Sequence, residues 1–215
     1  MKLLELKNRL ALETARLIAQ NGIDVIFFGG TALNTFYLDY RYSEDLDLGY
    51  SGKQKKHEIE KLLDKYGYIV QRTDFDFRDI ISLEGVSIKL DVVEYNQKYN
   101  GFTDKKIGET KIRTLEIEEF VIEKIVSFFT REDLAGTARD GYDLFCLEEK
   151  HALVLGLAKK EKKLIRKHIS SLDYNVKLFE SDIEKTESAV KPYLRKPVKA
   201  RDVLDFLKNL RKVLK

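Results

Sequence analysis

Over the first twenty positions Leu3, Leu6, Leu10, Leu17 and Ile18 recur near a helical period, with Thr14 at the one turn lacking a large apolar side chain. Asn21-Gly22 ends this pattern, so residues 3–20 predict an amphipathic first helix. Asp24 to Phe28 is a short β-branched and aromatic run that stops at Gly29-Gly30, the pattern of a buried strand entering a tight turn. A helical pattern resumes from Thr31 to Leu38. Leu46 to Tyr50 predicts a second strand, and Ser51-Gly52 opens a charged helix to about Lys65 that buries Ile59, Leu62 and Leu63. Three more strands are expected at Ile69 to Thr73, Arg78 to Leu83 and Val86 to Glu94, the last two joined by a turn at Glu84-Gly85. The first hundred residues thus describe an α/β or α+β sheet domain.

Asn96 to Thr114 is polar and contains glycine, with Lys111-Ile112-Arg113 as a last short strand. Beyond it every pattern is helical: Leu115 to Arg131, Ala138 to Glu148, Ala152 to about His168, Tyr174 to Val190, and Arg201 to Leu214. The expected division is a sheet-bearing domain over 1–114 and a helical domain over 115–215.

With 215 residues the chain can bury a core without staples. Its single cysteine, Cys146, excludes an internal disulfide, reads as a buried small apolar residue, and fits a reducing compartment. No Cys/His cluster has zinc-site spacing, and His57, His151 and His168 are scattered through charged or amphipathic helices. Charges interrupt the N-terminal apolar stretch as a signal peptide would not allow, and no run approaches the roughly 18 apolar residues of a spanning helix. A soluble cytoplasmic protein with no membrane partner is expected. The net charge of +3 conceals a division: residues 150–215 hold 18 Lys/Arg against 8 Asp/Glu, leaving 21 against 28 in residues 1–149. An acidic body suits metal binding and a basic tail suits a polyanion such as RNA, although lysine-rich helices can also be merely solvated.

The strand-to-helix turn at Gly29-Gly30 presents backbone N–H groups where a triphosphate could sit, or is an ordinary turn. Asp45 and Asp47, two apart on a strand, share one face while Leu46 and Leu48 share the other. Two carboxylates aimed together need a cation to offset their repulsion, and hard oxygen ligands suit Mg²⁺; otherwise they are a solvated strand edge. In Ser87-Ile88-Lys89-Leu90-Asp91-Val92 the apolar residues alternate with a face holding Ser87, Lys89 and Asp91. If that strand pairs with Leu46 to Tyr50, Asp91 joins Asp45 and Asp47, and three carboxylates suffice for two metals and an in-line displacement. Lys89 has two open roles, a salt bridge to Asp91 or a phosphate contact.

These residues resemble the DNA polymerase β-like nucleotidyltransferase superfamily, whose signature is a Gly-Gly or Gly-Ser turn, an acidic-x-acidic strand and a third carboxylate. Gly29-Gly30-Thr31-Ala32-Leu33 followed by Arg41-Tyr42-Ser43-Glu44-Asp45-Leu46-Asp47-Leu48, with fourteen residues between turn and acidic pair, resembles the AbiEii/AbiGii-type toxin branch. Glu119-Phe120-Val121-Ile122-Glu123-Lys124 and Ala138-Arg139-Asp140-Gly141-Tyr142-Asp143-Leu144 extend the resemblance to about residue 148. It implies an α+β fold, a polymerase β-like sheet flanked by helices and followed by an all-helical C-terminal region. It also implies Asp45, Asp47 and Asp91 as ligands of Mg²⁺, in a two-metal site that Mn²⁺ could also fill, with Asp91 helping to deprotonate the acceptor. Gly29, Gly30 and Thr31 would hold the NTP phosphates with Arg41 or Ser43 near their outer end, Lys124 would contact phosphates or nucleotide, and Asp140 and Asp143 would line the same cleft. From the residues alone, Lys124 with Glu123 reads rather as a solvent-facing pair, and Asp140 with Arg139 can be simple helix-surface charge.

The expected reaction is transfer of a nucleoside monophosphate from an NTP to an acceptor, with pyrophosphate released. The branch it resembles commonly uses the tRNA 3′ end and is restrained by a cognate antitoxin, and the basic C-terminal region fits RNA. A protein hydroxyl or small molecule as acceptor, a non-catalytic RNA- or partner-binding relative, and a metal-dependent phosphoesterase are the alternatives.

Overall fold

The computed structural model describes residues 2–50, 55–75, 77–94, 101–165 and 172–215. They fall into two compact units, Met1–Glu116 and Ile117–Lys215.

In the first unit, helix α1 (Lys2–Gln20) precedes a seven-stranded mixed sheet. Its strands are β1 (Ile26–Phe28), β2 (Asp45–Tyr50), β3 (Ile69–Arg72), β4 (Arg78–Leu83), β5 (Val86–Glu94), β6 (Phe102–Ile107) and β7 (Thr110–Leu115), in the order β3-β4-β5-β2-β1-β7-β6. β2 pairs with β5 in parallel and with β1 antiparallel, so β2 and β5 are central. Alternation fixes the faces. Leu46, Leu48, Ile88, Leu90 and Val92 are buried on one side, where α1 contacts β2 and β5 and contributes Leu10, Ala11, Ala15 and Ile18 to the core. Each such large side chain contributes about 1.5–3 kcal/mol on burial, which strongly disfavours a one-residue slip that would send the set to the opposite face. Thr14 belongs to this core because its Oγ1 donates to the Leu10 carbonyl at 2.7 Å and lies 3.1 Å from the Tyr68 hydroxyl.

β6 was not expected from the sequence. Phe102 and Ile107 bracket the polar run Thr103 to Lys106, and positions alternate between exposed and half-buried, so no apolar period marks it. It pairs antiparallel with β7 across a turn in which Gly108 takes φ 59°. Helix α2 (Gly29–Leu33) leads into a π-helical turn (Asn34–Leu38), and helix α3 (Lys55–Lys65) is described from Lys55 onward. Residues 51–54, expected to open that helix, lie outside the described residues, as do His168 and part of the polar 96–114 stretch.

The described residues of the second unit form helices α4 (Ile117–Thr130), α5 (Leu134–His151), α6 (Val154–Lys160), α7 (Lys162–Ile165), α8 (Leu172–Ser181), α9 (Ile183–Val190) and α10 (Ala200–Leu214), with a short 3-10 turn at Lys191–Tyr193. Caps account for the departures from the periodic pattern. α5 starts before Ala138 because Asp133 accepts from the Gly136 N–H at 2.6 Å, and the stretch expected as one helix to Val190 divides at Asp182, which caps α9 through the Lys185 N–H at 3.0 Å. Ala152, at φ 53°, separates α5 from α6. Cys146 is half-buried rather than buried. No helix among the described residues is long and apolar enough to cross a membrane.

Candidate active site

The pairing register sets four positions side by side across the open face of the sheet. Phe28 on β1 faces Asp47 on β2, Asp47 faces Asp91 on β5, and Asp91 faces Arg78 on β4. Adjacent strands lie about 4.8 Å apart, so the row spans roughly 14 Å. Two residues along the same face, Asp45 faces Lys89.

At the β1 end, Gly29 has φ 71°, and a Cβ there would lie 1.9 Å from Asp47 Oδ2, so both backbone conformation and space require glycine. A Cβ on Gly30 would lie 2.9 Å from Arg41 Nη2 and 3.1 Å from Ser43 Oγ. The two glycines therefore let the turn press against Asp47 on one side and against Arg41 and Ser43 on the other. Arg41 is 4% exposed, its Nη1 donating to the Tyr42 carbonyl at 3.1 Å and its Nε to the Tyr40 hydroxyl at 3.2 Å. The Thr31 side chain does not point where the sequence placed it. It is fully buried, and its hydroxyl donates to the Asp45 carbonyl at 2.5 Å, tying α2 to β2.

Asp45 Oδ1 is enclosed without a hydrogen-bond partner, and Lys89 Nζ stands 3.9 Å away. Asp91 gives both oxygens to Arg78, Oδ1 to Nε at 2.7 Å and Oδ2 to Nη2 at 2.6 Å, a bidentate charge-assisted pair. That hydrogen bond holds the Arg78 proton more tightly than usual against the opposing effect of burial, and the charges of Asp91, Asp45 and Asp47 act in the same direction. Of the two roles open to Lys89, the bridge to Asp91 is not formed, because Arg78 lies directly across from Asp91 while Lys89 lies across from Asp45. Arg78 escaped the sequence reading although its signal was present: with Leu83 opposite Val86 at the hairpin turn, counting back places Arg78 opposite Asp91.

A hard divalent cation fits part of this arrangement. The enclosed, unsatisfied oxygen of Asp45 is the type of donor it takes, with Asp47 two residues along on the same face. Among the described residues no three His, Cys, Asp or Glu side chains stand close enough together to grip an ion, and Asp91 is engaged by Arg78.

The remaining sequence candidates gather in the second unit. Lys124 Nζ lies 2.9 Å from Asp140 Oδ1 and 3.4 Å from Asp143 Oδ2, and Arg131 Nε lies 2.9 Å from Asp140 Oδ2. Lys124, Asp140 and Asp143 are 4%, 2% and 0% exposed, which overturns their reading as surface charges. Lys124 occupies the buried stripe Phe120, Val121, Lys124, Ile125, Phe128 of α4, and Asp140 and Asp143, one turn apart on α5, meet it. Arg131 was not foreseen.

Glu123, read with Lys124 as solvent-facing, instead has its Oε2 enclosed without a hydrogen-bond partner while Oε1 takes the Ser127 hydroxyl at 3.3 Å. Burial pushes the Glu123 carboxyl up, Lys124 opposes this, and Asp140 and Asp143 reinforce it. The folded state therefore holds this proton at pH values where the unfolded chain has lost it. Stability is full below the ordinary glutamate value of about 4.3 and falls as pH rises through the raised one. Glu123→Gln keeps the neutral shape, so its thermal midpoint should fall less than the wild type's between about pH 4 and pH 8. Parallel pH profiles in thermal melts would rule this out.

The family described as nucleotidyl transferase AbiEii toxin of type IV toxin–antitoxin systems matches residues 11–212, and the chain belongs to it. The solved structures agree on the fold. A candidate nucleotidyltransferase from Helicobacter pylori aligns with TM-score 0.55 at 20% identity, covering 97% of this chain and 95% of its own. JHP933 from Helicobacter pylori gives TM-score 0.51 at 21% identity, over 96% and 93%. An antigenic nucleotidyltransferase-like protein from Paracoccidioides brasiliensis gives TM-score 0.51 at 18% identity, over 77% and 90%. No curated protein sequence gives a significant match. The protein is a nucleotidyltransferase of α+β fold, and its family implies an NTP substrate and an antitoxin in the same system.

Proposed function

We propose that the protein transfers a nucleoside monophosphate from an NTP to the 3′ end of tRNA, with Mg²⁺ as the working cation and Mn²⁺ as a substitute, and that its antitoxin restrains this activity. The observation that carries the reading is the in-register row from the Gly29 turn through Asp47 and Asp91 to Arg78. In it, the backbone at Gly29 and Gly30 seats the donor phosphates, with Arg41, Ser43 and Lys89 as flanking contacts and Thr31 holding the turn to β2. Asp45 and Asp47 would hold the cation, and Asp91 would join them on release from Arg78. The cation supplies charge neutralisation at the phosphoryl oxygens and acidifies the attacking hydroxyl. An Asp91 oxygen accepts the hydroxyl proton as the acceptor oxygen bonds to the α-phosphorus and pyrophosphate departs. Lys124, oriented within the helical unit by Asp140 and Asp143, keeps the role of nucleotide contact that the family resemblance gives it. Residues 150–215, with 18 Lys/Arg against 8 Asp/Glu, supply salt-sensitive affinity for RNA phosphates.

The test incubates the protein with each labelled NTP, Mg²⁺ and total RNA and resolves the products on a denaturing gel. Label should enter RNA of tRNA size and vanish with chelator. Label on protein alone, or in no macromolecule, would contradict the RNA acceptor.

A further inference from the structure

The connection between β3 and β4 holds two large apolar rings in solvent. Phe75 is 55% and Phe77 41% exposed, with ring centroids 5.8 Å apart and planes inclined at 42°. Hydrogen bonds fix the backbone that carries them. Phe75 N–H donates to Thr73 Oγ1 at 3.2 Å, the Thr73 hydroxyl donates to the Arg78 carbonyl at 2.7 Å, and the Phe77 carbonyl accepts from the Val92 N–H at 2.7 Å. The Arg78 guanidinium sits 5.7 Å from the Phe75 centroid and 5.5 Å from that of Phe77 while gripping Asp91. An exposed aromatic pair is thus joined, through the Arg78 guanidinium, to Asp91.

We propose that Phe75, Phe77 and Arg78 seat the terminal nucleotide of a single-stranded RNA acceptor, its base stacked on the rings and its backbone near the guanidinium. The inference rests on the RNA-acceptor reading above. Position assigns this seat to the acceptor. The glycine turn lies at one end of the row and Arg78 at the other, with the carboxylates between. In-line displacement brings nucleophile and leaving group to opposite sides of the phosphorus, so a triphosphate at the glycine end leaves the Arg78 end to the acceptor. Chemistry assigns the ligand. Phenylalanine offers a face and no hydrogen bonds, so the seat accepts any unpaired base, and the 3′-terminal nucleotide is the one whose hydroxyl must reach this end of the row. Arg78 then has two anionic partners in alternation, Asp91 when the seat is empty and the acceptor backbone when it is filled, which frees Asp91 as the acceptor arrives.

The experiment measures anisotropy of a 5′-fluorescein single-stranded RNA, intact or with an abasic 3′-terminal nucleotide, against the full chain. The wild type should bind the abasic strand about tenfold more weakly, the size of one lost stacking contact, whereas F75A/F77A should bind both strands alike and weakly. F75Y/F77Y should restore the preference. In the transfer assay F75A/F77A should raise the KM for RNA about tenfold and leave the KM for NTP unchanged. Equal wild-type affinity for the two strands, or a rise in the KM for NTP instead, overturns the proposal. The two readings fail separately. Transfer to RNA with an unaltered KM in F75A/F77A removes the seat and leaves the acceptor standing, whereas a base-dependent affinity lost in F75A/F77A without any transfer to RNA keeps the seat and removes the acceptor.

Discussion

Lys124→Met should lower the stability of the helical unit by about 3–5 kcal/mol, the cost of removing one partner from a buried ion pair. Asp140 and Asp143, 2% and 0% exposed, would lose the ammonium that lies 2.9 Å and 3.4 Å from their oxygens, while Arg131 Nε stays 2.9 Å from Asp140. Methionine replaces the unbranched stem and omits only the ammonium end, so the apolar stripe of Phe120, Val121 and Phe128 changes little and most of the loss reports charge. Adding Asp140→Asn and Asp143→Asn should recover most of the loss, since the two buried carboxylates are then neutral and only the half-exposed Arg131 gives up an ion-pair partner. Urea unfolding of the single and triple variants reads both effects. A loss below about 1 kcal/mol in Lys124→Met would mean that the cluster is solvated in solution and behaves as a surface pair.

Neutralising either carboxylate of β2 should act on catalysis rather than on folding. Asp45→Asn and Asp47→Asn preserve shape on the open face, opposite Leu46 and Leu48, so the thermal midpoint should hold or rise slightly as repulsion between the acids is relieved. A cation at such a site is worth several kcal/mol of transition-state stabilisation, so the rate should fall about a thousandfold. Mn²⁺ affinity should fall with it, a readout independent of turnover.

Much of this site was legible because a strand's period of two is unambiguous. Asp45-Leu46-Asp47-Leu48 and Ile88 to Val92 declare which side is core, and once the faces are known the acids must share the other. The partners of those acids depend on register, a long-range property of the hairpin, so Arg78 could be found by counting from the Glu84-Gly85 turn but not from local composition. Lys124 illustrates a different failure. It lies at helical spacing within Phe120, Val121, Ile125 and Phe128, and its position rather than its chemistry announced burial. A lysine in such a stripe requires buried acids, and Asp140 and Asp143 were available one turn apart. β6 had no apolar period to betray it, because an edge strand whose middle four residues, Thr103 to Lys106, are all polar looks like a loop in sequence. Thr31 adjoins the glycine turn, yet its hydroxyl serves β2, a contact that only the folded chain defines.

The most direct measurement is pyrophosphate release by wild type and Asp47→Asn, side by side, with NTP, Mg²⁺ and tRNA, together with circular dichroism on both proteins. The wild type should release pyrophosphate in step with label entering tRNA. Asp47→Asn should lose about a thousandfold in rate with its spectrum unchanged. Undiminished release by a folded Asp47→Asn protein would contradict the assignment of the carboxylate row as the catalytic centre.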